Sequence, residues 1–337
     1  MTMQNNGFEA ALRAAIDGKT KPPGSLGRIE ELAAQIARVQ CSLTPRMESC
    51  RHFVFAADHG IAVEGVSAYP QAVTRQMVAN FAAGGAASNV FARANGIDLT
   101  VVDAGVAGGP MELDGVVEAR MGEGTASALN GPAMTPAIAQ TALDRGKAFG
   151  RDAGTDAVSV GEMGIGNTSA AALLAAKLTC QPVAQFTGRG TGLDDKGLAA
   201  KTAILERAAD RTADRLDGIS ALSEVGGFEI AMMAGAMLGA ADAGRVVIVD
   251  GFIAAAAAAA ALDLEPDSRA AMVFAHLSAE AGHRALCDAL GAEPLLHLDM
   301  RLGEGTGALL AWPLLRSAAA MLSDMASFSS AGVSEAE

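Results

Sequence analysis

Short, nearly unbroken apolar runs alternate along the chain with longer segments whose apolar positions recur at helical spacing. Residues 52–57 (HFVFAA), 99–102 (LTVV), 158–160 (VSV), 245–249 (RVVIV) and 271–274 (AMVF) read as buried strands. The 3.6-residue period predicts a helix from about residue 25, with Ile29, Leu32, Ile36 and Val39 on one stripe. Further helices are predicted over 9–16, 136–148, 198–216, 228–240 and 252–262, and from residues 167, 278 and 308 onward. Residues 107–135, rich in Gly, Pro and Met, read as a loop. Strand followed by helix, repeated, predicts an α/β fold with a mainly parallel sheet covered on both sides. The N-terminal helices and the C-terminal one are expected to pack together outside that sheet.

The polar residues that interrupt this pattern fall where strands end. The stretch 158–174, VSVGEMGIGNTSAAALL, predicts a strand, a turn through Gly161, Gly164 and Gly166, and a helix capped by Asn167 and opened by Thr168 and Ser169. Such a turn aims backbone N–H groups at an anion near the positive end of a helix. Glu162 would repel an anion, so its expected object is a hydroxyl, an N–H or a developing positive charge. The stretch lacks the G-x-G-x-x-G register and the G-K-[ST] ending, so neither a dinucleotide site nor a P-loop follows. A second glycine-rich stretch, TGRGTGLDDKG (187–197), carries Arg189 and Thr191 and reads as another anion cradle, with Lys201 placed to reach back to a phosphate. Asp58 and His59 follow the 52–57 strand and are candidates, because open parallel sheets bind ligands beyond their strand ends. Glu304, between two glycines ahead of an apolar helix, is a second carboxylate that would share acid–base work with Glu162. Lys21, Ser25 and Arg28 either border a ligand or belong to a linker whose Ser25 caps the following helix.

Composition narrows the partners. The 337 residues are 50% apolar but only 4% aromatic, and 25 Lys and Arg face 38 Asp and Glu for a formal charge of −13. Without a basic run or a stacking surface, nucleic acid and anionic membrane are poor partners. Cys41, Cys50, Cys180 and Cys287 form no CxxC, and the five histidines make no H-E-x-x-H. The expectation is reduced thiols, no metal and a cytoplasmic location. The N-terminus lacks the order of a signal peptide, and the apolar stretch 252–262 is about half a membrane span.

Five stretches, KPPGSLG (21–27), AADHG (56–60), GEMGIGNT (161–168), TGRGTGLDDKG (187–197) and LGEGTG (302–307), resemble in order and spacing one family over nearly the whole chain. That family is the nicotinate-nucleotide–dimethylbenzimidazole phosphoribosyltransferases. The resemblance implies a Rossmann-like sheet (46–307), with a small helical domain built from residues 1–45 and 308–337, in a homodimer. It implies transfer of 5-phosphoribose from nicotinate mononucleotide to 5,6-dimethylbenzimidazole with no cofactor. On matching positions, Glu304 resembles the general base and Glu162 a second functional carboxylate. Gly164, Gly166, Asn167, Thr168, Gly188, Arg189, Gly190 and Lys201 resemble the phosphate-binding set. Ser67, Tyr69, Gln76, Met163 and Leu302 resemble the base pocket. The competing readings are a related nucleotide-handling enzyme with another base acceptor, a metal-dependent hydrolase using Asp58, His59 and Glu162, and a nucleotide-binding module without catalysis.

Overall fold

The apolar runs become the strands of one twisted sheet. The computed structural model of the chain describes residues 2–190 and 192–334. Six strands, β1 (Cys50–Ala57), β2 (Asp98–Gly105), β3 (Val116–Glu118), β4 (Ala157–Met163), β5 (Val246–Val249) and β6 (Met272–Phe274), pair in the order β3-β2-β1-β4-β5-β6, all parallel. This is the doubly wound Rossmann order, whose direction reverses between β1 and β4. A separate two-stranded ladder joins β7 (His276–Leu277) to β8 (Leu296–His297). β3 lies inside the stretch expected to be a loop; three residues are too few for a periodic signal.

Thirteen helices are described: α1 (Thr2–Asp17), α2 (Arg28–Val39), α3 (Ala72–Ala82), α4 (Ala87–Ala94), α5 (Pro136–Arg151), α6 (Asn167–Thr179), α7 (Asp195–Asp210), α8 (Gly218–Val225), α9 (Phe228–Asp242), α10 (Phe252–Leu264), α11 (His283–Ala289), α12 (Thr306–Asp324) and α13 (Phe328–Ala331). Strand alternation decides which helices lie on which face. Phe53, Phe55, Val158, Val160, Val247 and Val249 meet α5, α6, α8, α9 and α10. The intervening Val246, Ile248 and Ala157 meet α1, α2 and α12 through Leu12, Leu32, Ile36, Trp312 and Leu315. The terminal helices therefore pack together, as expected, but directly on one face of the sheet. α5 and α9 cross at backbone contact: a Cβ on Gly235 would lie 2.0 Å from the Leu143 carbonyl oxygen, and one on Gly146 2.1 Å from that of Met232.

Several caps differ from expectation. α2 has Gly27, at φ 51°, as its N-cap, and not Ser25. The loop before it folds instead on the Glu30 carboxylate, which accepts from the N–H of Leu26 at 2.9 Å and pairs with Lys21 at 2.9 Å. Arg28 pairs with Glu31 and Glu293 on the surface. Lys21 and Arg28 are thus both engaged by acidic residues of the fold, away from the cleft described below. α6 likewise has Gly166 (φ 99°) as its N-cap, which frees the Asn167 side chain for another partner. α7 begins at Asp195 and ends at Asp210, and α11 begins at His283, because Asp194 caps one and the turn at residues 278–282 delays the other. No helix among the described residues is long and apolar enough to cross a membrane. All four cysteines are free thiols, Cys50 and Cys287 buried, Cys41 and Cys180 exposed.

Candidate active site

Beyond the carboxyl end of β4, where the strand order reverses, the chain encloses a cleft of about 460 Å³. It is lined by the last two residues of β4 (Glu162 and Met163), Gly164, Ile165, Asn167 and Thr168 of the turn and helix that follow, Gly190, the start of α10, Tyr69 and α3, the β7 region and residues 301–304. Of the expected site residues, Glu162, Met163, Gly164, Asn167, Thr168, Gly190, Tyr69, Leu302 and Glu304 meet here. Glu162 is the penultimate residue of β4 and not part of the turn. The turn itself requires Gly164, because a Cβ there would lie 2.4 Å from the Ala57 carbonyl oxygen.

One part of the cleft suits a phosphate. The Lys201 Nζ donates to the Thr168 hydroxyl at 3.0 Å and stands behind Gly190, whose Cβ position is 3.4 Å from it. Lys201 is fully buried, and desolvation lowers its pKa to about 8 despite the nearby Glu280. A buried ammonium with one hydroxyl partner is electrostatically under-compensated, and an anion at Thr168 would supply the missing charge. Gly188 packs against the Glu280 carboxylate, which a side chain at that position would displace. Arg189 differs from expectation: it pairs with Asp195 and donates to the Leu193 carbonyl, half-exposed and off the cleft. The competition is local, since TGRGTGLDDKG places the acid six residues from the arginine. Gly166 underlies the turn against His59 without lining the cleft, and Thr191 lies outside the described residues.

A second part is apolar. Tyr69, Val73, Met77, Met163 and Leu302 form its wall, with Tyr69 and Leu302 more than half exposed. Ser67 and Gln76 are not on it. The Ser67 hydroxyl accepts from the Tyr69 N–H at 3.2 Å, and Gln76 faces a neighbouring hollow with Arg75, Met111 and Leu113.

The carboxylates are held by main chain. Glu304 occupies the left-handed region at φ 58°, between Gly303 at 89° and Gly305 at 76°. Its carboxylate is 5% exposed, more buried than its small neighbours suggest, and accepts from the Ser88 N–H at 3.3 Å. Burial raises its pKa, and the helix N-terminus does not reverse that direction. Glu162 is also buried, and desolvation together with the negative charge of Glu229 raises its pKa to about 8. Asn167 donates to it, which is the use found for the side chain that does not cap α6, and the Glu304 N–H facing it offsets part of that rise. A third carboxylate, Asp250 at the end of β5, lines the cleft and accepts the Ala308 N–H at 2.9 Å. Asp250, His276, Glu280 and Arg301 were not singled out from the sequence. Asp250 was discoverable by the strand-end rule that marked Asp58; His276 opens the two-residue β7, too short for a periodic signal, and Glu280 and Arg301 lie in irregular segments.

Neither Asp58 nor His59 lines the cleft: His59 lies beneath the turn, against Gly164 and Gly166, and Asp58 lines the neighbouring hollow with Gln76. Asp58 accepts the Ala107 N–H at 2.8 Å, and His59 Nε2 is 2.5 Å from Glu229 Oε1 with both side chains buried. Among the described residues no group of three or more His, Cys, Asp and Glu side chains is arranged to hold a metal ion. The geometry thus offers a proton acceptor with raised basicity, an anion seat and an apolar wall on one cleft.

Comparison with known proteins places this arrangement. A family model described as Phosphoribosyltransferase matches residues 1–333. Nicotinate-nucleotide–dimethylbenzimidazole phosphoribosyltransferase of Ralstonia nicotianae is 55% identical over 331 residues, covering 97% of this chain and 94% of that protein. Its counterpart in Dechloromonas aromatica is 52% identical over 343 residues, covering 100% and 99%. The crystal structure of CobT from Thermus thermophilus superposes with a TM-score of 0.94 at 44% identity, covering 98% of this chain and 100% of that one. With its full length matched and its sheet, turns and cleft in place, the chain belongs to the nicotinate-nucleotide–dimethylbenzimidazole phosphoribosyltransferase family.

Proposed function

We propose that the protein transfers 5-phosphoribose from nicotinate mononucleotide to 5,6-dimethylbenzimidazole, giving α-ribazole 5′-phosphate and nicotinate for the lower ligand of cobalamin. The observation that carries this reading is the meeting of buried Glu304 and the Thr168–Lys201 pair at one cleft. The donor nucleotide carries a pyridinium leaving group, so no acid is needed to expel it. Its 5′-phosphate would rest on Thr168, Gly190 and the start of α6, with Lys201 supplying charge from behind. The acceptor would lie against Met77, Met163 and Leu302. Its N–H proton passes to the Glu304 carboxylate while the other ring nitrogen attacks C1′. The C1′–N bond to nicotinate breaks with its electron pair on the departing ring, and attack from the opposite face turns a β-linkage into an α-linkage. Glu162 would steady the turn that carries Glu304 and face the positive charge of the donor.

The test is product identification by mass with nicotinate mononucleotide and a panel of bases. Formation of α-ribazole 5′-phosphate and nicotinate is expected. Phosphate or free ribose release without dependence on a base overturns the reading. We propose further that the protein is a cytoplasmic homodimer without an intersubunit disulfide, its terminal segments (1–45 and 308–337) acting as a small helical domain. Light scattering with and without reductant checks the assembly; a monomer, or a dimer lost on reduction, refutes it.

A further inference from the structure

We propose that His52, in the middle of the sheet, is a positioning residue for Glu304, acting by holding the Glu304 main-chain carbonyl. The proposal rests on the base assignment made above. His52 and Ser159 are register partners on β1 and β4, and both side chains are completely buried on the face that meets α12. The His52 Nε2 lies 3.0 Å from the Glu304 carbonyl oxygen, and Nδ1 lies 2.8 Å from the Ser159 hydroxyl. A carbonyl can only accept, so Nε2 carries the proton and Nδ1 accepts from Ser159. Burial pushes the imidazole pKa down to about 4, so the ring is neutral at working pH and keeps this arrangement.

The contact has a job that the surrounding helix does not do. The N–H one turn after Glu304 belongs to Ala308, and it is donated to Asp250 Oδ1 at 2.9 Å instead of to the Glu304 carbonyl. Glu304 is a non-glycine residue at positive φ, a strained conformation that persists only where its surroundings determine it. Here the restraint on the carbonyl is the His52 ring, while the N–H faces the Glu162 carboxylate. The space around the peptide is closed as well, since a Cβ on Gly161 would sit 2.4 Å from the Glu304 carbonyl carbon and one on Gly305 2.0 Å from His52 Cε1. From this held main chain the Glu304 carboxylate reaches the cleft, where it accepts from the Ser88 N–H.

The test compares His52→Phe, which fills the space without a donor, with His52→Gln, which returns an N–H near the Nε2 position. In His52→Phe, kcat should fall about 100-fold with the KM for nicotinate mononucleotide within about twofold, the scale expected for a misplaced catalytic group. His52→Gln should recover at least about tenfold of that loss. The acid limb of kcat/KM, set by Glu304, should move in the Phe variant and return in the Gln variant. A folded His52→Phe enzyme with near-normal kcat, or equal losses in both variants, overturns the proposal. Should the Phe variant not fold, nitrogen-15 NMR of the wild-type enzyme decides: protonated Nε2 and bare Nδ1 support it, the opposite tautomer overturns it. Wild-type enzyme that makes no α-ribazole 5′-phosphate would instead bring down the functional reading itself.

Discussion

The main-chain N–H of Glu304 faces the side-chain carboxylate of Glu162 and offsets part of the burial that raises its pKa. The two acids on the cleft are therefore neighbours through the Glu304 backbone, and a change at either is felt at the other. Their substitutions are expected to couple rather than add.

Glu304→Gln keeps the side-chain volume and removes the proton acceptor. The expected result is a kcat lower by about 10²–10⁴ with nicotinate mononucleotide still bound. Because burial raises the Glu304 pKa, the wild-type kcat/KM should fall, as pH drops, at a pH above the ordinary glutamate value. Steady-state kinetics across pH checks both points. Near-normal kcat in the Gln variant would transfer the base assignment to Glu162.

Glu162 supplies a stability prediction. Its folded pKa of about 8 lies above the ordinary value of 4.5. Its contribution is fully present below that ordinary value and is lost as pH rises through about 8, where the buried group ionises. Glu162→Gln has nothing to ionise. The Tm of the variant relative to wild type should therefore climb from pH 5 to pH 9, and a pH-independent difference in thermal unfolding would refute the linkage.

Lys201 has the mirror-image behaviour. Its folded pKa, lowered to about 8, means that stability present above its unfolded value is lost as pH falls through about 8, where the buried amine takes up a proton. A bound phosphate removes that penalty. Lys201→Met should raise the KM for nicotinate mononucleotide about 10- to 100-fold, as expected for a lost hydrogen bond to a charged group. The variant should hardly distinguish the nucleotide from its riboside. Kinetics with both donors checks this, and an unchanged preference for the phosphorylated donor would rule out the role.

Gly235→Ala tests the crossing of α5 on α9. The added methyl would stand 2.0 Å from the Leu143 carbonyl oxygen, a backbone atom that cannot swing away. Overpacking of this kind costs about 1–3 kcal/mol. Denaturant titration should show that loss at an unchanged slope, whereas a wild-type midpoint would mean that the helices separate freely.

The sheet was legible because buried parallel strands leave short apolar runs rich in β-branched residues and bounded by turn residues, and β1, β4 and β5 stand where 52–57, 158–160 and 245–249 put them. The turn after β4 was legible for a related reason: only glycine fits against the Ala57 carbonyl at Gly164. What the sequence hid was the partner of each polar group. Asn167 looks like a cap and binds Glu162; Arg189 looks like an anion ligand and pairs with Asp195. Both partners lie within six residues, yet which nearby polar group wins depends on how the turn folds in space, and spacing alone does not encode that. His52 was hidden differently, inside an apolar run where a histidine reads as filler.

The acid groups of the cleft are tied to the backbone of the sheet, while Tyr69, Met77, Met163 and Leu302 meet it with side-chain ends, two of them thioethers and two largely exposed. Thioethers reshape around a new guest at little cost. A change of acceptor in this lineage therefore needs only a few substitutions in this wall, those at Tyr69 and Leu302 on exposed side chains. A change of reaction would require rebuilding a strand end and the start of a nineteen-residue helix together. Evolution of the base pocket is cheap here, and evolution away from ribosyl transfer is not.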